Sequence, residues 1–292
     1  MTADDFALRI SRVAHASERG AWRMAFLEPD VRFAPYVARL NVYRERDTAF
    51  TRRAEPPSGL ATLVFNLGAE LRVEHPVKTF NAYGAGGAFY TGISSTFAIT
   101  ETDRAQEGAQ AMLTPLGARL LVDFPLAEIG DRLIDPADLF GAAARATIGR
   151  LMACNSEEAR LAILEAAMAE RLERARRPPP ADLAFAAQRL QASGGRLSVA
   201  ALAEEIGCGR KHLTMRFARE FGIAPKLLGR VLRFDRALRR ARSGAVPSLA
   251  ALADSCGYAD QAHLTRDFKE FAGAPPAAFM RRALPDDGGF PL

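Results

Sequence analysis

The chain has 292 residues, 49% of them hydrophobic and 25% charged, the balance of a globular protein long enough for two cores. No run of about 18 apolar residues offers a membrane span, and MTADDFALRI lacks the apolar centre of a secretory signal, so the expected location is the cytoplasm. The net charge of +5 is unevenly divided: residues 182–282 hold 17 Lys and Arg against 9 Asp and Glu, while the remainder is net acidic at −3. Only the C-terminal third has the charge to meet a polyanion.

Residues 1–20 read as a polar lead with a short helix through Phe6, Ile10 and Val13. From Trp22 the period falls to two, because Trp22, Met24 and Phe26 alternate with Arg23 and Ala25. Further strands are expected at 37–44, 60–67, 70–73, 88–91, 96–100 and 109–113. Turn residues separate them, among them Pro56-Pro57-Ser58-Gly59 and Gly84-Ala85-Gly86-Gly87. So many short strands in about ninety residues imply a closed or sandwiched antiparallel sheet. Aromatic residues on these strands, Tyr43, Phe65, Phe89, Tyr90 and Phe97, either fill the interior or line an apolar effector pocket. Asn66, Thr96 and Arg44 are the polar candidates to orient such an effector.

After Pro115 the period becomes helical, with helices expected at 116–122, 126–133, 136–153 and 156–174. The last carries Leu161, Leu164, Met168 and Leu172 as one apolar stripe, a candidate seam for a homodimer or a face packed on its own domain. Arg176-Arg177-Pro178-Pro179-Pro180 is a proline-stiffened linker. The expected division is a β-rich sensor over 1–135, a helical dimerisation and linker region over 136–177, a DNA-binding domain over 182–282 and a disordered tail over 283–292.

Residues 248–282 read as helix, tight turn and helix. Leu249, Leu252, Ala253 and Cys256 share one face, Gly257 suits the turn, and Asp260 can cap the next helix, which buries Leu264, Phe268 and Phe271. The pattern also occurs about fifty residues earlier: AALAEEIG echoes AALADSCG, and HLT recurs at 212–214 and 263–265. The separation is 50 at Gly207/Gly257, 51 at Leu213/Leu264 and 50 at Phe221/Phe271, which places one extra residue in the second turn and its removal within the following helix. A register held this long is a duplication. Between the halves, residues 225–242 form one helix, about 27 Å long at 1.5 Å per residue.

Two helix-turn-helix units of this kind, with LAALAxxxG, HLTxxF and an FxxxP ending, resemble the DNA-binding domain of AraC/XylS-type transcription regulators. LGRVLRFDRAL between the halves supports the same resemblance. It implies an α+β protein: an N-terminal antiparallel β-barrel of cupin-like form with following helices, then an all-α domain with two helix-turn-helix motifs. It implies base reading by Arg210, Lys211, Thr214 and Met215 in the first unit and by Gln261, Thr265 and Arg266 in the second. Met215 departs from the polar residue usual at its place and suits a thymine methyl. Arg219 and Lys269 are placed on phosphates. The expected partners are double-stranded DNA, RNA polymerase, a small-molecule effector and a second copy of the chain.

An enzyme would need a catalytic constellation. Of four histidines, His212 and His263 fall in the reading helices, and His15 and His75 show no HxH pattern, so neither a metal nor another cofactor is expected. Cys154, Cys208 and Cys256 are scattered without zinc-ligand spacing. GAGG at 84–87 precedes a strand rather than a helix, Ser94-Ser95 lacks a nucleophile elbow, and Glu157-Glu158 and Asp286-Asp287 read as helix-start charge and solvated tail. Two rival readings remain: a protein that coats DNA without sequence preference, and a cupin-type enzyme with an appended DNA-binding domain.

Overall fold

The computed structural model describes residues 3–48, 52–74, 80–130, 132–243, 248–285 and 289–292. A short helix α1 (Ala3–Leu8) leads into β1 (Ile10–Ser17), so the predicted helix through Ile10 and Val13 becomes strand. β1 pairs along its whole length with β2 (Gly20–Leu27), and hairpin pairing overrides the weak helical spacing. The N-terminal unit continues with β3 (Val37–Arg46), β4 (Arg52–Glu55), β5 (Ala61–Asn66), β6 (Leu71–Glu74), β7 (Phe80–Tyr83), β8 (Ala88–Thr91), β9 (Ala98–Thr102) and β10 (Gln106–Leu113).

These strands form two antiparallel sheets rather than the expected closed barrel. One has the order β1-β2-β3-β10-β5-β8-β11, where β11 is Leu133–Ile134, and the other β12-β4-β9-β6-β7, where β12 is Phe290–Pro291. Val64 and Phe89 from the first sheet meet Leu71, Val73 and Tyr83 from the second. An ion pair between Glu45 on β3 and Arg53 on β4 also joins the sheets, with both side chains largely buried. Because side chains alternate along a strand, Leu63, Phe65 and Tyr90 face the other way and belong to a core shared with the helices.

The helices that cover this face are α2 (Pro115–Val122), α3 (Pro136–Phe140), α4 (Ala142–Met152) and α5 (Glu157–Glu173). The predicted helix at 126–133 shrinks to a single 3-10 turn at Leu126–Glu128, and the one predicted at 136–153 breaks at Gly141, whose φ is 58°. The α5 stripe is not a free seam. Leu161, Leu164, Met168 and Leu172 are all buried in the core of their own chain. Glu165 binds Arg9 at 2.7 Å, and Arg160 shares Glu107 with Arg44, which fastens α5 to the sheet.

The C-terminal helices are α6 (Ala181–Ala192), α7 (Val199–Ile206), α8 (Arg210–Phe221), α9 (Pro225–Arg242), α10 (Leu249–Cys256), α11 (Gln261–Ala272) and α12 (Pro276–Met280). One apolar cluster runs without a break from the first sheet through α2 and α5 into α6, α7 and α8. The linker is itself anchored: the Arg176 and Arg177 amides donate to Asp123 Oδ1 at 3.1 and 2.6 Å. Arg119 on α2 reaches Glu220 on α8 at 2.8 Å, with only 5% and 14% of the two side chains exposed. At Gly59, φ is +75° and a Cβ would lie 2.8 Å from Leu232 on α9, so only glycine lets this turn approach the spacer helix. The expected disordered tail behaves differently where it is described, since β12 pairs with β4 and Phe290 stacks on Phe279 at 4.3 Å.

Candidate nucleic-acid interface

Each helix-turn-helix unit is built from local signals. Ser198 and Ser248 accept from the third-residue amides of α7 and α10, both at 3.1 Å, which satisfies one of the free N–H groups of each first turn. Gly207 and Gly257 end these helices in the left-handed region at φ 75° and 80°. The second turn holds one residue more, and its Asp260 accepts from the His263 amide at 2.6 Å. Gly209, at the corresponding start of α8, supplies no side-chain cap.

The separation then stays at 51 through both reading helices, because the C-caps are Gly222 and Gly273. No residue is removed within the helix, as the Phe221/Phe271 match suggested; the aromatic side chain has moved by one position while remaining buried in both halves. By this register Met215 corresponds to Arg266, Thr214 to Thr265 and Arg210 to Gln261.

Burial sorts the faces of α8 and α11. Leu213, Phe217 and Phe221 are buried on one, and Leu264, Phe268 and Phe271 on the other. Arg210, Lys211, Met215 and Arg219 are exposed on α8, and Gln261, Arg266 and Lys269 on α11. Thr214 and Thr265 are half-buried, and the Thr214 hydroxyl donates to the Arg210 carbonyl at 2.9 Å. The structure thus brings all nine predicted residues to solvent-facing or rim positions of the two reading helices. Phe234 on α9 packs edge-on against Phe268 and Phe271 at 5.0 and 5.4 Å, which fixes α11 to the spacer.

The arginines divide by environment. Arg216 pairs with Asp182, and its hydrogen bond holds that carboxyl below its usual range. Arg230 pairs with Asp267 at 2.7 Å and Glu270 at 2.6 Å. The bond to Glu270 raises the Arg230 guanidinium above its ordinary value, burial opposes this, and Asp267 reinforces it. These charges hold helices together. Arg210, Lys211, Arg219, Arg266 and Lys269 make no ion pair among the described residues, so their charge is available to an outside anion. An arginine on an exposed reading helix can offer two parallel donors to guanine or to a phosphate.

Residues 202–282 match a family model described as a helix-turn-helix domain. The C-terminal third is a helix-turn-helix domain, and the chain carries two such units in it. No curated protein matches the chain. In fold, the chain is similar to an apo form of ToxT from Vibrio cholerae, with 12% identity, 83% of this chain and 97% of that chain covered and a TM-score of 0.51. A Vibrio cholerae ToxT structure with bound unsaturated fatty acid has 11% identity, covers 82% and 94%, and gives a TM-score of 0.49. The first of these likenesses concerns the fold alone: a β-rich N-terminal unit followed by the helix-turn-helix domain.

The residues proposed for chemistry elsewhere have structural work. Asn66 donates to the carbonyls of Ala69 and Tyr83 and accepts from Gly68 and Gln106, Arg44 is held by Glu107, and Thr96 binds Ser94. Phe89 packs between the sheets with Val64, Leu71 and Val73, whereas Phe65 and Tyr90 face the helices. His15 stacks on Trp22 at 4.2 Å, and His263 meets Tyr258 edge-on. His75, Asp286 and Asp287 lie outside the described residues. Among the described residues no three His, Cys, Asp or Glu side chains are grouped to hold a metal ion, and no helix is long and apolar enough to cross a membrane. Sequence reading missed the Arg119–Glu220 bridge, whose partners stand 101 residues apart and carry no local signature.

Proposed function

We propose that this chain is a cytoplasmic, sequence-specific transcription regulator that reads two successive major-groove segments of double-stranded DNA. The observation that carries it is the pair of helices joined through one spacer, each presenting polar and cationic side chains outward while its apolar face is buried. Arg210, Lys211, Thr214 and Met215 would read one segment and Gln261, Thr265 and Arg266 the next, with Arg219 and Lys269 on phosphates. A spacer of about 27 Å is compatible with grooves about 34 Å apart on one side of the duplex. The N-terminal unit would receive a small effector, and RNA polymerase is the expected protein partner at a promoter.

Selection of duplexes from a random pool by the full chain tests this reading. An enriched motif with two half-sites, bound much more tightly than random DNA at the same salt, is the expected outcome. Uniform recovery of all sequences would leave only a phosphate-coating protein. A chelator should leave the binding unchanged. A homodimer remains part of the proposal, but its contact must use a surface other than the buried α5 stripe. Sedimentation of the full chain decides that, and a strict monomer at tens of micromolar removes it.

A further inference from the structure

The two halves of the C-terminal domain touch each other directly, through the turn of the second helix-turn-helix unit. Gly257 ends α10 at φ +80°, and a Cβ there would lie 2.9 Å from the Arg196 side chain of the α6–α7 loop. Gly207 holds the matching place in the first unit, where a Cβ would meet nothing within 4 Å. The residues that follow differ in the same sense, since Tyr258 is buried and Cys208 only partly so. The duplicated motif thus leaves one turn open and packs the other on its neighbour, so this contact does not come from the motif itself.

Arg233 of α9 stands at this junction. Its Nη1 donates to the Gly195 carbonyl of the first half at 2.5 Å, and its guanidinium carbon lies 5.8 Å from the centre of the Tyr258 ring of the second. Its Nε is buried, which turns that edge of the group away from an outside phosphate. The loop it grips rests on the α9 backbone: Gly195 has φ +74°, and a Cβ there would lie 2.0 Å from the Gly229 carbonyl oxygen. Arg196 is held in turn, because its Nε donates to the Ser193 carbonyl at 3.1 Å. On the other side, Tyr258 meets His263 of α11 edge-on at 5.1 Å. About one turn earlier on α9, Arg230 binds Asp267 and Glu270, also of α11.

We propose that Arg233 is a positioning residue that sets the spacing at which the two reading helices accept their half-sites. This role rests on the DNA-binding reading; the joint between the halves does not. A spacer helix with one half packed on each side lets the halves twist about its axis. Arg233 closes that hinge into a bracket, because from α9 it holds the α6–α7 loop of one half and the α10–α11 turn of the other. Both contacts are directional, one a charge-assisted bond to a carbonyl and the other a cation over a ring face. B-DNA turns once in about 10–10.5 base pairs, so moving a half-site by one base pair rotates it roughly 35° about the duplex axis. A rigid pair of heads cannot follow that rotation, and a hinged pair can. Loss of the bracket therefore exchanges affinity at one spacing for tolerance of others.

Selected duplexes with base pairs added or removed between the half-sites test this role, with the full chain as the binding species. One added or removed base pair should weaken wild-type binding roughly tenfold. Arg233→Ala should reduce that penalty to about threefold or less while base preference within each half-site stays the same. Arg233→Lys keeps a donor for the Gly195 carbonyl and should restore part of the penalty. Tyr258→Phe keeps the ring and should keep the penalty, whereas Tyr258→Leu should lose it. Thermal melting confirms that each variant is folded. A wild type that accepts every spacing equally overturns the role, as does a folded Arg233→Ala or Tyr258→Leu that keeps the wild-type penalty. An equal loss at all spacings with a flatter salt dependence also overturns it, by placing Arg233 on a phosphate. Hydrogen exchange without DNA reads the joint by itself. The amides of Gly195, Arg196, Gly257 and Tyr258 are each hydrogen-bonded within their own half. Arg233→Ala should accelerate exchange in both turns while the α5 amides keep the wild-type rate, and unchanged exchange in both turns overturns the joint. If the wild type selects no duplex, the regulator reading fails while the exchange result stands.

Discussion

The first helix-turn-helix half is continuous with the N-terminal core, whereas the second is attached at its margins. Leu202, Leu213, Phe217 and Phe221 belong to the same apolar cluster as Leu63 and Leu164, and the Arg119–Glu220 bridge crosses the junction. Leu252, Leu264, Phe268 and Phe271 form a separate cluster whose links to the N-terminal unit are Ala54, Phe97 and the returning strand β12. The duplicated sequence therefore makes two similar reading heads with unequal freedom. A signal in the N-terminal unit can act directly on the first, while the second follows through α9 and the C-terminal strand.

The largest effects should separate the two cores. Phe217→Ala and Phe268→Ala each remove a fully buried ring and should cost roughly 3–5 kcal/mol. Hydrogen exchange of the α5 amides distinguishes them: Phe217→Ala should accelerate it, and Phe268→Ala should leave it near the wild-type rate. Equal acceleration would mean the two clusters unfold as one.

Breaking the junction comes next. Glu220→Ala leaves Arg119 buried without its carboxylate and should cost about 3 kcal/mol. Phe290→Ala, which loosens the other attachment, should expose the amides of β4 and α12 while those of α8 stay protected. Exchange mapped by mass spectrometry reads both. If either variant loosens both halves, the attachments are not independent.

At the DNA, the halves differ at the matched pair Met215 and Arg266. Arg266→Ala should cost roughly 1–3 kcal/mol and relax preference at one base pair. Met215→Ala should cost less, because it gives up only an apolar contact, and its effect should be confined to a site that carries thymine. Selection with each variant shows which half-site changes. A broad loss across all positions after Arg266→Ala would assign that side chain to phosphate instead.

The smallest difference lies in the caps. Asp260→Ala should destabilise the second half by about 1 kcal/mol, since it frees the His263 amide. Gly209→Ser, which adds the missing cap to α8, should stabilise the first by a few tenths. Thermal melting of the two variants compares them directly, and a gain at position 209 larger than the loss at 260 would reverse the assignment.

The residues by themselves determined most of the C-terminal domain. Its helices, caps and buried faces depend on contacts three or four residues apart, which periodicity records, and the duplication repeats every signal. Even there, the 51-residue register of α8 and α11 was settled by Gly222 and Gly273, because a shifted phenylalanine misled the match at 221 and 271. The strands from Trp22 to Leu113 were legible as well, since alternation survives in each one separately. How the strands close was not legible, because pairing joins segments such as β3 and β10, whose partners lie 61 to 76 residues apart. Burial of the α5 stripe, the return of residues 290–291 to β4 and the Arg119–Glu220 bridge were decided only in three dimensions. An apolar stripe looks the same whether its partner is a second copy or its own sheet, and an arginine does not reveal in sequence whether a carboxylate will reach it.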